Sequence, residues 1–177
     1  METFLIRHTT PAVDKGICYG QTDLLLTADF QEEASDVLEN LPTKPDVIYS
    51  SPLHRCRILA EFLSRASGVP VEVDKRLMEL HFGNWEMKRW DDIDSTDLTQ
   101  WMSNYERARC PGGESYHDLM ARVEDFIVSL QATTHKTSWV VTHGGVLRAV
   151  NVLVNKISLK QSMDLRIPYG NILRLKL

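Results

Sequence analysis

The sequence predicts an α/β fold of three layers, a mostly parallel central sheet with helices on both faces. Two observations carry the prediction. Short β-prone runs alternate with longer helical stretches along the whole chain, as strand–helix–strand units do in a parallel sheet. Two of the runs, Phe4-Leu5-Ile6-Arg7-His8-Thr9 and Trp139-Val140-Val141-Thr142-His143-Gly144-Gly145, each deliver a histidine at their carboxyl end. That end is where an open α/β sheet forms its ligand crevice.

In order, residues 3–6 read as the first strand. Residues 9–26 hold Pro11, Gly16 and Gly20 among scattered polar groups and read as a long loop, the kind that carries function. Thr27 is placed to cap a helix to about Leu41, ended by Pro42 and Pro45. Residues 46–49 form a short strand. Ser51 caps the next helix with Pro52 at its first position, and Gly68-Val69-Pro70 closes it after about Ala66. Residues 71–73 are a brief third strand. Between 77 and 110 the pattern is mixed, with helical pieces around 88–94 and 96–108, and Pro111-Gly112-Gly113 is a turn. Ser115 begins a helix to about Thr133 whose apolar stripe is Leu119, Val123, Phe126, Ile127 and Leu130. Residues 138–142 read as the central strand, 144–155 as a helix and 172–177 as the closing strand. No repeat, linker or low-complexity stretch interrupts residues 1–177, which read as one domain.

Size and charge bound the function. A chain of 177 residues buries roughly two-thirds of its unfolded surface without staples. Twenty Lys+Arg against 24 Asp+Glu give a net charge of −4, which disfavours nucleic acid or an anionic membrane as partner. Cys18, Cys56 and Cys110 share no CxxC spacing, a pattern that suits a reducing cytoplasm better than a disulfide scaffold or zinc site. The first residues go straight into a strand, and no stretch approaches the ~18 apolar residues of a membrane span. A cytoplasmic protein acting on a small molecule is expected, with a homodimer possible.

The candidate chemistry lies at the strand ends. Arg7 and His8 close one strand. His143 closes another, and Gly144-Gly145 lets backbone approach a ligand as a helix begins, where free N–H groups suit an anion. Arg55, in Ser50-Ser51-Pro52-Leu53-His54-Arg55-Cys56-Arg57, occupies a first helical turn, an unfavourable place for a cation unless an anion is held there. Arg57, two positions on, points to another face and meets solvent. Glu79 sits between apolar Met78 and Leu80, a setting that suits a proton donor.

Together these segments resemble the histidine phosphatase superfamily, also called phosphoglycerate-mutase-like. The resemblance rests on Leu5-Ile6-Arg7-His8-Thr9, Ser50 through Cys56, Glu79 with Phe82-Gly83-x-Trp85-Glu86, Pro111-Gly112-Gly113-Glu114-Ser115, and Thr142-His143-Gly144-Gly145-Val146-Leu147-Arg148, in the family's order. It implies a phosphoglycerate mutase-like fold and a phosphomonoesterase in which neutral His8 attacks phosphorus. Arg7, Arg55 and His143 would clamp the phosphoryl oxygens, and Glu79 would protonate the leaving oxygen. No metal and no cofactor are implied, since the arginines supply the positive charge.

Two departures stand out. Thr9 replaces the glycine that usually follows the histidine, narrowing the pocket or adding a hydroxyl toward phosphate. Asp14 stands where many members carry asparagine, a carboxylate that must point away or meet a sugar or amine. The run from Arg7 to Pro11 with Gly16-Ile17-Cys18-Tyr19-Gly20-Gln21-Thr22-Asp23 looks like the α-ribazole phosphatases, which remove a 5′-phosphate in cobalamin assembly. That branch implies substrate contacts at Thr9, Asp14, Gly20, Gln21 and Gly144, and leaves open whether Lys88 or Arg89 touches substrate. Alternatives are a broad-specificity sugar phosphatase or phosphoglycerate mutase-like enzyme, and a non-catalytic phospholigand-binding domain. A metal hydrolase would instead gather His8, His81 and His143 with Asp14 or Asp23.

Overall fold

All residues from 1 to 177 are described by the structure, a computed structural model. Its centre is a five-stranded sheet ordered β3-β2-β4-β1-β5, formed by β1 (Glu2–Arg7), β2 (Val47–Ser50), β3 (Val71–Val73), β4 (Thr137–Thr142) and β5 (Ile172–Lys176). The first four run parallel, and β5 closes antiparallel against β1. Alternation along the strands serves two cores. Phe4, Ile6, Ile48, Trp139 and Val141 face α1 (Phe30–Glu39) and α2 (His54–Ser67), packing on Ala34, Val37, Leu59 and Leu63. Leu5, Val140 and Leu175 face the opposite core, with α4 (Tyr116–Gln131) and α5 (Gly144–Asn155). The three expected layers are therefore present. No helix is long and apolar enough to cross a membrane.

Several boundaries differ from expectation for identifiable reasons. Thr27 does not cap α1, because its backbone N–H donates to the Thr10 carbonyl and ties it to the loop; Asp29 precedes the helix instead. Ser51 and Pro52 lie outside α2, whose amino-terminal flank is Leu53. The Ser51 N–H bonds the Val141 carbonyl, extending the ladder between β2 and β4 by one residue. Between 75 and 92 the chain makes three single 3₁₀ turns, and α3 covers only Ser95–Ser103, capped by Asp94. A helix α6 at Leu159–Asp164 was not expected, although Ser158 and Gln161 form a capping box that marks it. Ser115 and Asp118 form the same device at α4.

Candidate active site

Strand register brings the two histidines together. β1 and β4 are neighbours with Arg7 opposite Thr142, so the next residues, His8 and His143, leave the sheet side by side. Their ring centroids lie 5.2 Å apart, and each side chain is within 1% of full burial. The Nδ1 of His8 is 2.7 Å from the Thr9 carbonyl oxygen. A carbonyl only accepts, so Nδ1 carries the proton and Nε2 the lone pair. The Nε2 of His143 lies 2.8 Å from Ser51 Oγ and 3.4 Å from Cys56 Sγ.

Burial, more than the nearby charges of Arg55 and Arg7, holds His8 well below the usual 6.5, against an opposing effect of its bond to Thr9. Burial and Arg55 do the same to His143. Both rings are neutral at pH 7. The linkage sign follows: an unfolded chain protonates these rings near 6.5 and the native one only well below, so the unfolded state binds more protons in that window. Stability should therefore fall as pH drops from 6.5, by up to about 1.4 kcal/mol per pH unit for each ring. Thermal melts of the parent and a His8→Asn variant between pH 7.5 and 5 check this. The variant should lose less on acidification.

Arg55 is fully buried in the first turn of α2, donating to the Gly20 carbonyl at 2.6 Å and the Thr22 carbonyl at 2.8 Å. Arg7 donates to the Ile167 carbonyl. Both guanidinium groups thus bond backbone oxygens and keep their positive charge unneutralised. Each also has a buried Nε without a partner, as does the Thr9 hydroxyl. Unpartnered buried donors are costly, and an anion seated between the arginines would satisfy them.

The second glycine of the pair has a steric reason. A Cβ on Gly145 would lie only 2.1 Å from Glu79 Oε1, whereas one on Gly144 would lie 3.4 Å from the Arg7 guanidinium carbon. Lacking a Cβ at 145, the amino terminus of α5 admits the Glu79 carboxylate. Glu79 accepts from the Gly145 N–H at 3.1 Å and the Leu80 N–H at 2.9 Å. Its backbone is held too, since Gln21 Nε2 and Arg122 each donate to the Glu79 carbonyl at 2.9 Å.

Other expected residues are placed as follows. Gly20 and Gln21 bond the protein itself: Gly20 gives its carbonyl to Arg55, and the Gln21 N–H donates to Glu86. Asp14, Lys88 and Arg89 are exposed. Arg57 is also exposed and pairs with Glu61 at 2.8 Å, as its helix position requires. The metal-hydrolase set does not assemble. Asp23 accepts from the His54 N–H, His81 faces Glu86, and no three His, Cys, Asp or Glu side chains cluster to hold a metal ion.

The sequence reading missed Ser51 as a partner of His143, Arg122 as the brace behind Glu79, and the role of Glu86, named there only within a motif, in accepting from the N–H groups of Gln21, Thr22 and Phe82. It also missed Tyr169, whose ring centroid is 5.5 Å from that of His8 and 4.0 Å from the Arg7 guanidinium carbon. No local signal marks Tyr169. It reaches the site because β5 returns beside β1, with the Arg7 N–H donating to the Asn171 carbonyl. A neutral imidazole with a free lone pair, two unneutralised arginines, a helix amino terminus and a carboxylate thus converge, a set that can perform nucleophilic chemistry on an anion.

Known proteins resemble this chain in sequence and in fold. The family described as "Histidine phosphatase superfamily (branch 1)" matches residues 3–177. A protein of Hydrogenobacter thermophilus named "Putative phosphoserine phosphatase 2" is 30% identical over 96% of this chain and 86% of its own length. The adenosylcobalamin/α-ribazole phosphatase of Escherichia coli is 31% identical over 83% of this chain and 75% of its own. The crystal structure of the α-ribazole phosphatase from Shigella flexneri superposes with a TM-score of 0.90 at 25% identity, covering 100% of this chain and 91% of that one. Because the family matches nearly the whole chain, the protein belongs to branch 1 of the histidine phosphatase superfamily.

Proposed function

We propose that the protein hydrolyses phosphomonoesters through a phosphohistidine on His8, and that its substrate is α-ribazole 5′-phosphate. The observation that carries the chemistry is the fixed tautomer of His8, with Nδ1 bonded to the Thr9 carbonyl and Nε2 free beside two arginines. The Nε2 lone pair attacks phosphorus as the ester P–O bond breaks, and Glu79 gives its proton to the departing alkoxide. Water then attacks phosphorus, Glu79 takes its proton, and the P–N bond breaks to release inorganic phosphate. Arg7, Arg55, neutral His143 and the Gly144 end of α5 hold the phosphoryl oxygens, stabilising their charge through the in-line transition state. The positive charge on the phosphorylated ring is met by the Thr9 carbonyl. Thr9 Oγ1 adds a hydroxyl donor to the pocket. No metal takes part.

The substrate reading draws on the run from Gly16 to Asp23 and on the α-ribazole phosphatases among the relatives. The phosphoserine-named relative supplies the competing reading. A panel of α-ribazole 5′-phosphate, O-phosphoserine, 3-phosphoglycerate and 4-nitrophenyl phosphate separates them. The highest kcat/KM on the ribazole ester is expected, unchanged by chelator. Preference for phosphoserine would overturn the substrate, activity lost to chelator and restored by zinc or manganese would overturn the metal-free mechanism, and turnover of no ester would overturn the phosphatase reading.

The phosphoryl clamp makes its own prediction. Arg55→Ala removes a charge-assisted partner of the transition state and should lower kcat/KM by on the order of 100-fold or more. Arg57→Ala, exposed and paired only with Glu61, should stay within about two- to threefold, since surface pairs contribute little. Steady-state kinetics of both variants make the comparison.

A further inference from the structure

Two tyrosines lie on the two arginines of the pocket. The Arg7 guanidinium carbon is 4.0 Å from the centre of the Tyr169 ring, and that of Arg55 is 5.2 Å from the centre of Tyr19. The phenol oxygens are 3.0 Å apart and hydrogen-bonded. Tyr19 comes from the long loop after β1 and Tyr169 from the turn before β5, so one bond ties distant segments across the pocket. Beneath it, His8, Arg55 and His143 are all at most 1% exposed.

Tyr169 also lines an open groove of about 790 Å³ beside α1 and β5, with Thr10, Glu33, Asp36, Asn40 and Arg174 along its walls. Arg174 is paired with Glu2. Two carboxylates, Glu33 and Asp36, then set the groove's charge.

We propose that Tyr19 and Tyr169 determine substrate specificity: they roof the phosphoryl pocket, the alcohol part of a substrate replaces their mutual hydrogen bond, and the rest of it lies in the acidic-walled groove, so uncharged, hydroxyl-bearing alcohols are favoured over anionic ones. The proposal rests on the phosphatase reading above. Parting the roof leaves each phenol without its partner, and a substrate hydroxyl restores one while a bare hydrocarbon does not. A second anionic group meets Glu33 and Asp36 and finds both arginines committed to the phosphoryl group, so repulsion disfavours it. A sugar phosphate satisfies both conditions; 3-phosphoglycerate, with its uncompensated carboxylate, fails the second, and a simple alkyl phosphate fails the first.

The test measures kcat/KM for ribose 5-phosphate, 3-phosphoglycerate and butyl phosphate in the parent, Tyr19→Phe, Tyr169→Phe and Asp36→Lys proteins. The parent should prefer the sugar ester. Each Tyr→Phe change should reduce the preference over butyl phosphate about five- to tenfold, the range of one lost hydrogen bond, mainly through KM of the sugar ester. Asp36→Lys should reduce the preference over 3-phosphoglycerate from the other side, through a lower KM for that ester. A preference that stays within twofold of the parent in all three variants overturns the specificity role.

A second measurement does not need turnover. Diethyl pyrocarbonate acylates accessible neutral imidazoles, and peptide mapping isolates the modification of His8. Tyr169→Ala, at a rim position 37% exposed, should speed labelling of His8 by at least about tenfold by opening the roof. Labelling at the parent rate overturns the roof. Should no ester be turned over, the phosphatase reading fails while this arm still decides whether the tyrosines cover His8.

Discussion

A His8→Ala protein is expected to hydrolyse any phosphomonoester at less than about 1% of the parent rate, because the covalent route disappears with its nucleophile. Rapid quenching of the parent during turnover should trap an acid-labile, base-stable phosphoryl group on His8, and the variant should trap none. The backbone bond from the His8 N–H to the Thr142 carbonyl survives the substitution, so β1 and β4 stay in register. Folding of the variant is checked by its thermal melt. Retention of more than a few per cent of activity would move the nucleophile elsewhere, with His143, 5.2 Å away, the next group to test.

Glu79→Gln should separate substrates by their leaving groups. An ordinary sugar phosphate departs as a strongly basic alkoxide and needs a proton, so its rate should fall roughly 100-fold to 10,000-fold, the span of general acid catalysis. The nitrophenolate of an aryl ester leaves without one, and its phosphorylation step, read as a burst, should fall far less. The carboxamide keeps the volume of the side chain but has one acceptor atom, whereas the carboxylate serves the N–H groups of Leu80 and Gly145 with separate oxygens. Some loss common to both substrates is therefore expected from misplacement. Equal losses throughout would make Glu79 a positioning group and leave the acid to be found.

Much of the frame was legible because it depends on short-range pattern. Strand–helix alternation gave the layers, and the apolar stripe of α4 and the glycine-led start of α5 fell where expected. What failed depended on partners distant in sequence. Ser51 looks like a helix cap, but β4 supplies an acceptor for its N–H and His143 a partner for its hydroxyl. Thr27 looks like another, but the Thr10 carbonyl holds it in the loop. Arg7, His8, Arg55 and His143 drew attention because they flank strand ends and helix starts, where chemistry is placed by backbone geometry, and Glu79 because apolar residues flank it. Tyr169 and Arg122 did not, since each reaches the site only through contacts across the fold, and Glu86 was named only within a motif.

The pairing of β1 with β4 and β5 has a consequence for the order of assembly. His8 lies far along the chain from the strands that fix it, Thr137–Thr142 and Ile172–Lys176. Closing contacts of such long sequence separation is slow and entropically costly. Until the final strand docks, Arg7 lacks the backbone partner that β5 brings, and Tyr169 cannot cover the pocket. The imidazole of His8 and the two arginines thus wait on segments distant in the chain, and the pocket is complete only once β5 docks.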